Sequence, residues 1–308
     1  MPLGVALGDQ VPISELPGLD EEQIIRYQGF GYEKCRVTTQ DVFSLCRATV
    51  SGSPGFTAAA VDAFLYAIEP NINSSNNWMI NEKAWQQRDI RWLIQTLGLN
   101  PARLIGLSFY NCATFLGALD LGSALIRAGS ANTCLATVAG VANEHSPRIP
   151  HAFHVQSDGA ASFLVTSDSD LGDRYRVLAH RVEYVNPAEF RALDGTVDET
   201  RYFSLKALKI RATIERLLAQ AALASDQIDM VFVQNLGVQS MIKYGRLCGV
   251  PGGRVWLSSL AENAHVIGVD SLVNFHHYHR TRPPGPGTVL IVGTSGMSWG
   301  GVVLRHES

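Results

Sequence analysis

The feature that most restricts the fold of this chain is a pattern that occurs twice. The run Val61-Asp62-Ala63-Phe64-Leu65-Tyr66-Ala67-Ile68 is short and apolar, as a buried strand should be, and Ile228-Asp229-Met230-Val231-Phe232-Val233 is its counterpart. Each opens on an apolar residue followed by Asp. Downstream of each lies a segment that reads as strand, sharp polar turn and helix: RLIGLSFYNCATFLGALDLGSAL from Arg103, and RVWLSSLAENAHVIGVDSLVNF from Arg254. Aligning the two arginines sets Cys112 of the first copy on Asn263 of the second. Each copy then closes on a hairpin built around glycine and small residues, Ser157 to Val165 and Met297 to Leu304. Strands alternating with helices in two similar halves predict an α/β protein of two packed units, residues 1–170 and 171–308, derived by tandem duplication.

Composition narrows the partners. Only 17% of the 308 residues are charged, below the roughly 25% usual for soluble proteins, so a subunit interface is expected. The 25 Lys and Arg are balanced by 28 Asp and Glu, and no basic stripe exists to neutralise phosphates, which argues against a nucleic-acid partner. No apolar stretch approaches the roughly 18 residues of a membrane span, and the N-terminus lacks the basic-then-apolar pattern of a signal peptide. The expectation is a cytoplasmic protein with no membrane association.

Five cysteines are widely spaced and form no CxxC pair, so neither a disulfide framework nor a structural metal site is expected. Most should be small buried hydrophobes. Cys112 has a different setting, between an apolar strand and a helix that runs to Arg127 and ends at Gly129. At a helix N-terminus, unpaired backbone N–H groups and the macrodipole favour a thiolate, which is what a nucleophile needs, and the Cys112 N–H could serve a developing oxyanion. A second helix is expected from Leu205 to Ala224, with Leu205, Leu208, Ala212, Leu218 and Ala219 near one face. Its Lys206, Lys209, Arg211 and Arg216 then form a solvated face that a phosphate-bearing partner could use. Arg282 to Gly287 reads as a turn-forming connector, and Asp158 as a turn residue.

The stretch NCATFLGALDLGSALIRAG resembles the active-site segment of the ketoacyl-ACP synthase III group of thiolase-fold enzymes, in which a cysteine opens a buried helix ending in an Ile-Arg-x-Gly-like sequence. Four further stretches are similar to that group in order: SDGAASFLV at 157–165, the helix from Leu205, the strand from Ile228, and GTSGMSWGGVVLR at 293–305. The first 55 residues match poorly and look shortened. The resemblance implies a five-layered αβαβα fold, a homodimer, and an acyl thioester on Cys112.

The resemblance also exposes a departure. Decarboxylating members carry a Cys-His-Asn set, and the position of their histidine is held here by Gln234, in Phe232-Val233-Gln234-Asn235-Leu236-Gly237, while Asn263 matches their asparagine. Without that imidazole, half of the polar pair for an enolate is missing, which puts condensation in doubt. A histidine returns at His265, five residues before Asp270, as in a branch of the family that transfers acyl groups to oxygen or nitrogen. Five residues on one regular helix lie about 140° apart, so contact between His265 and Asp270 requires His265 to precede the helix. Gly296 and Ser295 resemble the Gly-rich loop that supplies an oxyanion N–H. His145, His151 and His154 fall in a region that in the family covers the acyl pocket. His276, His277 and His279 read as a solvated helix end rather than a metal site.

These readings converge on an acyltransferase in natural-product chemistry with catalytic Cys112, His265 and Asp270, supported by Asn235, Asn263, Ser295 and Gly296. The acyl group arrives on CoA or on a phosphopantetheine carrier, whose phosphates Lys243 and Arg246 could meet, and leaves on a small hydroxyl or amine acceptor. No permanently bound cofactor and no metal is expected. The alternatives are a carbon–carbon condensing enzyme using Asn235, Asn263 and His265 in altered roles, and an inactive subunit of a heterodimer.

Overall fold

The computed structural model describes residues 2–51, 56–70, 90–107, 111–142, 148–149, 154–168, 175–184, 199–281, 287–296 and 298–306. In chain order, β1 (Pro2–Leu7), β2 (Asp9–Pro12), α1 (Glu21–Gly29), β3 (Lys34–Val37) and α2 (Val42–Ser51) come first. They are followed by β4 (Ala63–Pro70), helical residues 90–96 (α3), β5 (Arg103–Gly106), α4 (Thr114–Arg127), β6 (Thr133–Val141), β7 (Gln156–Ser157) and β8 (Gly159–Thr166). The remainder is β9 (Tyr175–Tyr184), α5 (Glu199–Gln220), β10 (Met230–Phe232), α6 (Val238–Leu247), α7 (Leu260–Asn263), β11 (His265–Val266), α8 (Asp270–Thr281), β12 (Gly287–Thr294) and β13 (Ser298–His306).

The repeat read in the sequence is a repeat of topology. One sheet has the order β1-β8-β6-β4-β5, with β4 parallel to β5 and β6, and β8 antiparallel to β6 and β1. The other has the order β10-β12-β13-β9, with β10 parallel to β12, and β13 antiparallel to β12 and β9. The fifth position, equivalent to β5, is reduced to a single parallel bridge from Val255 to Val231. The first sheet draws its strands from residues 2–166 and the second from 175–306. The first 55 residues are therefore not a dispensable prelude: β1 is the outer strand of the first sheet, as β9 is of the second, and α2 packs on β1 and β8.

Alternation along the strands sorts side chains into layers, because successive residues face opposite sides. Ala63, Leu65 and Ala67 of β4, with Val289 and Ile291 of β12, turn toward a central core shared with Phe115 and Leu116 of α4 and Leu272 and Phe275 of α8. Phe64 of β4 faces outward onto Phe43 and Cys46 of α2 and Leu93 of α3. Leu290 and Val292 of β12 face the opposite way, onto Ile210, Ile214 and Leu217 of α5 and Met241 of α6. The layers run helix, sheet, helix, sheet, helix. Burial of each large side chain in α4 contributes about 1.5–3 kcal/mol, so this central helix fixes its N-terminal turn firmly.

Two glycines allow close approaches, one at that turn and one at the segment after His265. A Cβ on Gly293 would lie 2.8 Å from the Phe115 ring and 3.2 Å from the Ala113 Cα, and one on Gly140 would lie 2.5 Å from the Ile267 carbonyl oxygen. Strand β12 thus presses on the Cys112 turn, and β6 on the segment after His265.

Three expectations are corrected. On α5 the buried residues are Ile210, Thr213, Ile214, Leu217 and Leu218, whereas Leu208 is 64% exposed and Ala219 also faces solvent. Lys206 is in phase with Ile210 and half-buried, so it does not belong to a solvated face. Asp158 is completely buried: Arg148 donates to both its oxygens at 3.1 and 2.8 Å, and the Thr38 and Ala142 N–H groups donate at 2.8 and 2.7 Å. At the end of α8, His279 packs against Tyr175, Phe275 and His306, and His277 against Trp256, an aromatic cluster rather than a solvated end. The connector at 282–286 lies outside the described residues, as do His145 and His151.

Candidate active site

Cys112 sits in a single 3-10 turn, Asn111–Ala113, leading directly into α4. The residue at its N-cap, Ala113, has no polar side chain to cap it. Cys112 is partly exposed while the other four cysteines are buried. Burial pushes the thiols of Cys35 and Cys134 up to about 11 and that of Cys248 to about 12, and raises Cys46 further still. Those four are inert at neutral pH.

His265 lies across from Cys112, with Nε2 3.7 Å from the sulfur. It falls in the short strand β11, ahead of α8, so Asp270 at the start of that helix reaches back to it: the Asp270 Oδ2 meets His265 Nδ1, while Oδ1 accepts the Val266 N–H at 2.5 Å. Burial opposes a charged imidazole, but the adjacent Asp270 carboxylate, helped by Cys112, outweighs it and raises the His265 pKa well above its ordinary 6.5. The His265 N–H donates to the Val155 carbonyl at 2.9 Å, anchoring β11 to β7. His154 stands edge-on to His265 with ring centroids 4.8 Å apart.

Gln234 follows β10, and its side chain is spent on bracing. Its amide donates to the Cys112 carbonyl at 3.3 Å, and its Oε1 accepts from the Thr294 N–H at 3.2 Å and the Thr294 hydroxyl at 2.5 Å. It is 4% exposed. Its oxygen is taken by Thr294 and one of its two amide hydrogens by the Cys112 carbonyl, which leaves a single neutral N–H where decarboxylating members of the similar group carry an imidazole.

The two asparagines hydrogen-bond to the framework around the site. Asn263 offers its Oδ1 to the Arg36 guanidinium at 2.8 Å, and Asn235 donates to the Ala264 carbonyl at 2.7 Å while accepting from Asn274 at 3.0 Å. Neither is hydrogen-bonded to Cys112. Asn235 instead holds the backbone between Asn263 and His265, where Ala264 adopts a positive φ of 45°. Such strain costs on the order of 1–3 kcal/mol and persists only where its surroundings over-determine it. Asn274, also bonded to the Val233 carbonyl at 2.8 Å and to the Ser259 hydroxyl, completes that support. Tyr32 donates to the Asn235 carbonyl at 3.0 Å, so the N-terminal segment braces the site as well.

In the loop after β12, the Ser295 N–H bonds the Ser298 carbonyl at 2.6 Å, which leaves Gly296 as the backbone donor to consider. The Gly296 carbonyl accepts from Tyr202 at 2.9 Å, and Lys206 donates to the Tyr202 oxygen at 3.3 Å. Lys206 and Tyr244 both lie within electrostatic reach of Cys112. Lys243 and Arg246 are exposed on α6, on either side of Tyr244. Sequence reasoning missed Tyr202 and Asn274 and set Lys206 on a solvated face, although its spacing to Ile210, Thr213 and Leu217 directs it inward.

Chemically, the arrangement offers a thiol, an imidazole that can hold or take its proton, and a carboxylate that fixes the tautomer. Among the described residues, no cluster of His, Cys, Asp and Glu could hold a metal ion, and no helix is long and apolar enough to cross a membrane.

Neither a protein-family model nor a curated protein sequence matches the chain. Solved structures do. ChlB3, described as an acyltransferase, is 17% identical with a TM-score of 0.78, over 99% of this chain and 96% of its own. The 3-oxoacyl-(acyl carrier protein) synthase III of Pseudomonas aeruginosa PAO1 is 16% identical with a TM-score of 0.74, over 100% and 98%. The priming β-ketosynthase of the R1128 polyketide pathway is 16% identical with a TM-score of 0.74, over 100% and 96%. With its duplicated sheets and shared helical layer, the chain has the five-layered thiolase fold of the 3-oxoacyl-ACP synthase III structures.

Proposed function

We propose that this chain is an acyltransferase that carries an acyl group on Cys112 and delivers it to a hydroxyl or amine. The observation that carries the reading is the Cys112–His265–Asp270 alignment, together with the commitment of the Gln234 side chain to Cys112 and Thr294.

In the resting site His265, its pKa raised by Asp270, holds a proton beside the Cys112 sulfur, 3.7 Å away, where it can stabilise negative charge as the thiolate forms and attacks. The thiolate attacks the thioester carbonyl of acyl-CoA or of an acyl carrier protein. Backbone N–H groups of Cys112 and Gly296 are the proposed oxyanion donors. Collapse of the tetrahedral intermediate breaks the donor's C–S bond, and the departing thiolate takes the proton from His265 Nε2. Once the sulfur is in a thioester, its negative charge is gone and the imidazole is neutral, ready to accept. An acceptor O–H or N–H then gives its proton to Nε2 while attacking the acyl carbon. The C–S bond to Cys112 breaks, the product leaves, and thiolate and imidazolium are restored. The chain is further proposed to work as a homodimer, with Lys243 and Arg246 meeting the phosphates of the donor.

The ketosynthase names among the similar structures favour one competing reading, decarboxylative condensation. It requires a pair of donors for the enolate: Asn263, its Oδ1 held by Arg36, keeps its Nδ2 hydrogens, but the family histidine is replaced by Gln234, whose amide donates to the Cys112 carbonyl. Intact-protein mass spectrometry after incubation with a panel of acyl thioesters tests the proposal. A single acyl mass shift that disappears in Cys112→Ala is expected; labelling that persists in that variant refutes Cys112 as the carrier.

A further inference from the structure

Lys206 is the cation of this site that the mechanism above does not use. On α5 the residues in phase with it, Ile210, Thr213, Ile214 and Leu217, are all buried against the second sheet, so its position on the helix directs it inward. Its ammonium lies 5.5 Å from the Tyr202 ring centroid and donates to the Tyr202 oxygen, and Tyr202 in turn holds the Gly296 carbonyl. It also feels the charge of Cys112. Two other basic residues of the same helix have anionic partners: Arg211 pairs with Glu215 at 2.8 Å and Arg216 with Glu183 at 3.0 Å. Lys206 has no carboxylate partner among the described residues.

A half-buried ammonium with no carboxylate partner among the described residues is costly, and burial, only partly opposed by Cys112, lowers its pKa to about 8. A hydrophobic residue in phase with Ile210 would avoid that cost. The arrangement is accounted for if an anion arrives with the substrate. Its neighbours also limit what fits: a phenol, a backbone carbonyl and a thiol leave the ammonium as the one strong donor to an oxyanion.

Building on the acyltransferase reading, we propose that Lys206 is the counter-ion for a carboxylate on one of the two substrates, held beside Cys112. The carboxylate belongs either to the acyl group, as in a dicarboxylic half-thioester, or to the acceptor, as in an amino or hydroxy acid. Lys206 is therefore a specificity residue.

The first test needs no acyl transfer. Cys112 is alkylated with iodoacetate and with iodoacetamide, and the ratio of rates is divided by the same ratio for a small free thiol. The native chain should favour the anionic reagent by about tenfold or more, the usual lower range of local electrostatic enrichment. Lys206→Gln should bring the ratio near one, Lys206→Arg should keep much of it, and Tyr202→Phe, which leaves the ammonium in place, should retain it. An unchanged ratio in Lys206→Gln overturns the proposal. A second test compares loading by glutaryl-CoA and valeryl-CoA, and discharge by β-alanine and β-alaninamide. A carboxylate preference in loading assigns the anion to the acyl group, and one in discharge assigns it to the acceptor; either must collapse in Lys206→Gln. Absence of a preference in both arms also overturns the proposal. If no thioester loads Cys112 while the alkylation ratio still falls in Lys206→Gln, the acyltransferase reading fails and the anion site stands.

Discussion

The sulfur of Cys112 lies 3.7 Å from Nε2 of His265, and these two residues come from different copies of a duplicated unit. The first copy supplies the turn before α4, and the second the segment before α8. Neither half holds the pair alone.

From that contact follows a kinetic expectation. His265→Ala should slow discharge of the acyl-Cys112 intermediate by about a hundredfold or more, the usual weight of a general base. Loading should slow as well, since the imidazolium beside the sulfur is lost with the side chain. Asp270→Asn should give a milder defect in both steps, because the imidazole remains but loses its charge partner and its tautomer. Rapid-quench measurement of the two half-reactions separates these effects.

The same carboxylate shapes the stability of the chain with pH. The folded-state pKa of His265 is raised, so its contribution to stability is fully present below about 6.5 and is lost as pH rises through the higher folded value. Burial lowers His180 and His276, whose effect falls below about 6.5, and depresses Lys206 to about 8, so for Lys206 the unfolded chain binds the extra proton only above that pH, and stability gains there as pH rises. Between pH 6.5 and about 8 the native chain should therefore lose stability as pH rises. Urea unfolding across that window should show the decline, and it should flatten in Asp270→Asn.

Much of this was legible in the sequence, for identifiable reasons. Repeated apolar runs fixed strand positions because burial dictates their spacing, and both sheets share one strand order. The helical angle between His265 and Asp270 already required a break before α8, and β11 with its following turn supplies it. What the sequence could not reveal was where amides point. Aligning Asn263 with a family asparagine locates its Cα, but its Oδ1 is captured by Arg36, 227 positions away in sequence. Asp158 looked like a turn residue because its cation, Arg148, lies across the loop and its other donors belong to Thr38 and Ala142. Lys206 was misplaced because Leu205 and Leu208 suggested a helix phase that Ile210, Ile214 and Leu217 override.

The Arg148–Asp158 pair carries a stability prediction independent of chemistry. Asp158→Ala removes the anion from a bidentate contact and strands the N–H groups of Thr38 and Ala142. Breaking a buried pair in this way costs about 3–5 kcal/mol. Chemical denaturation should show that loss, whereas Arg211→Ala, which breaks an exposed pair, should cost less than about 1 kcal/mol.

The central claim, transfer rather than condensation, is tested most directly by a single-turnover chase. Cys112 is loaded with an acyl group and the intermediate is divided among a malonyl thioester, alcohols and amines, with product and carbon dioxide followed together. With Gln234 bound to Cys112 and Thr294, the account predicts an ester or amide, no carbon dioxide, and an intermediate that persists in malonyl thioester alone. Release of carbon dioxide with a ketoacyl product would contradict it.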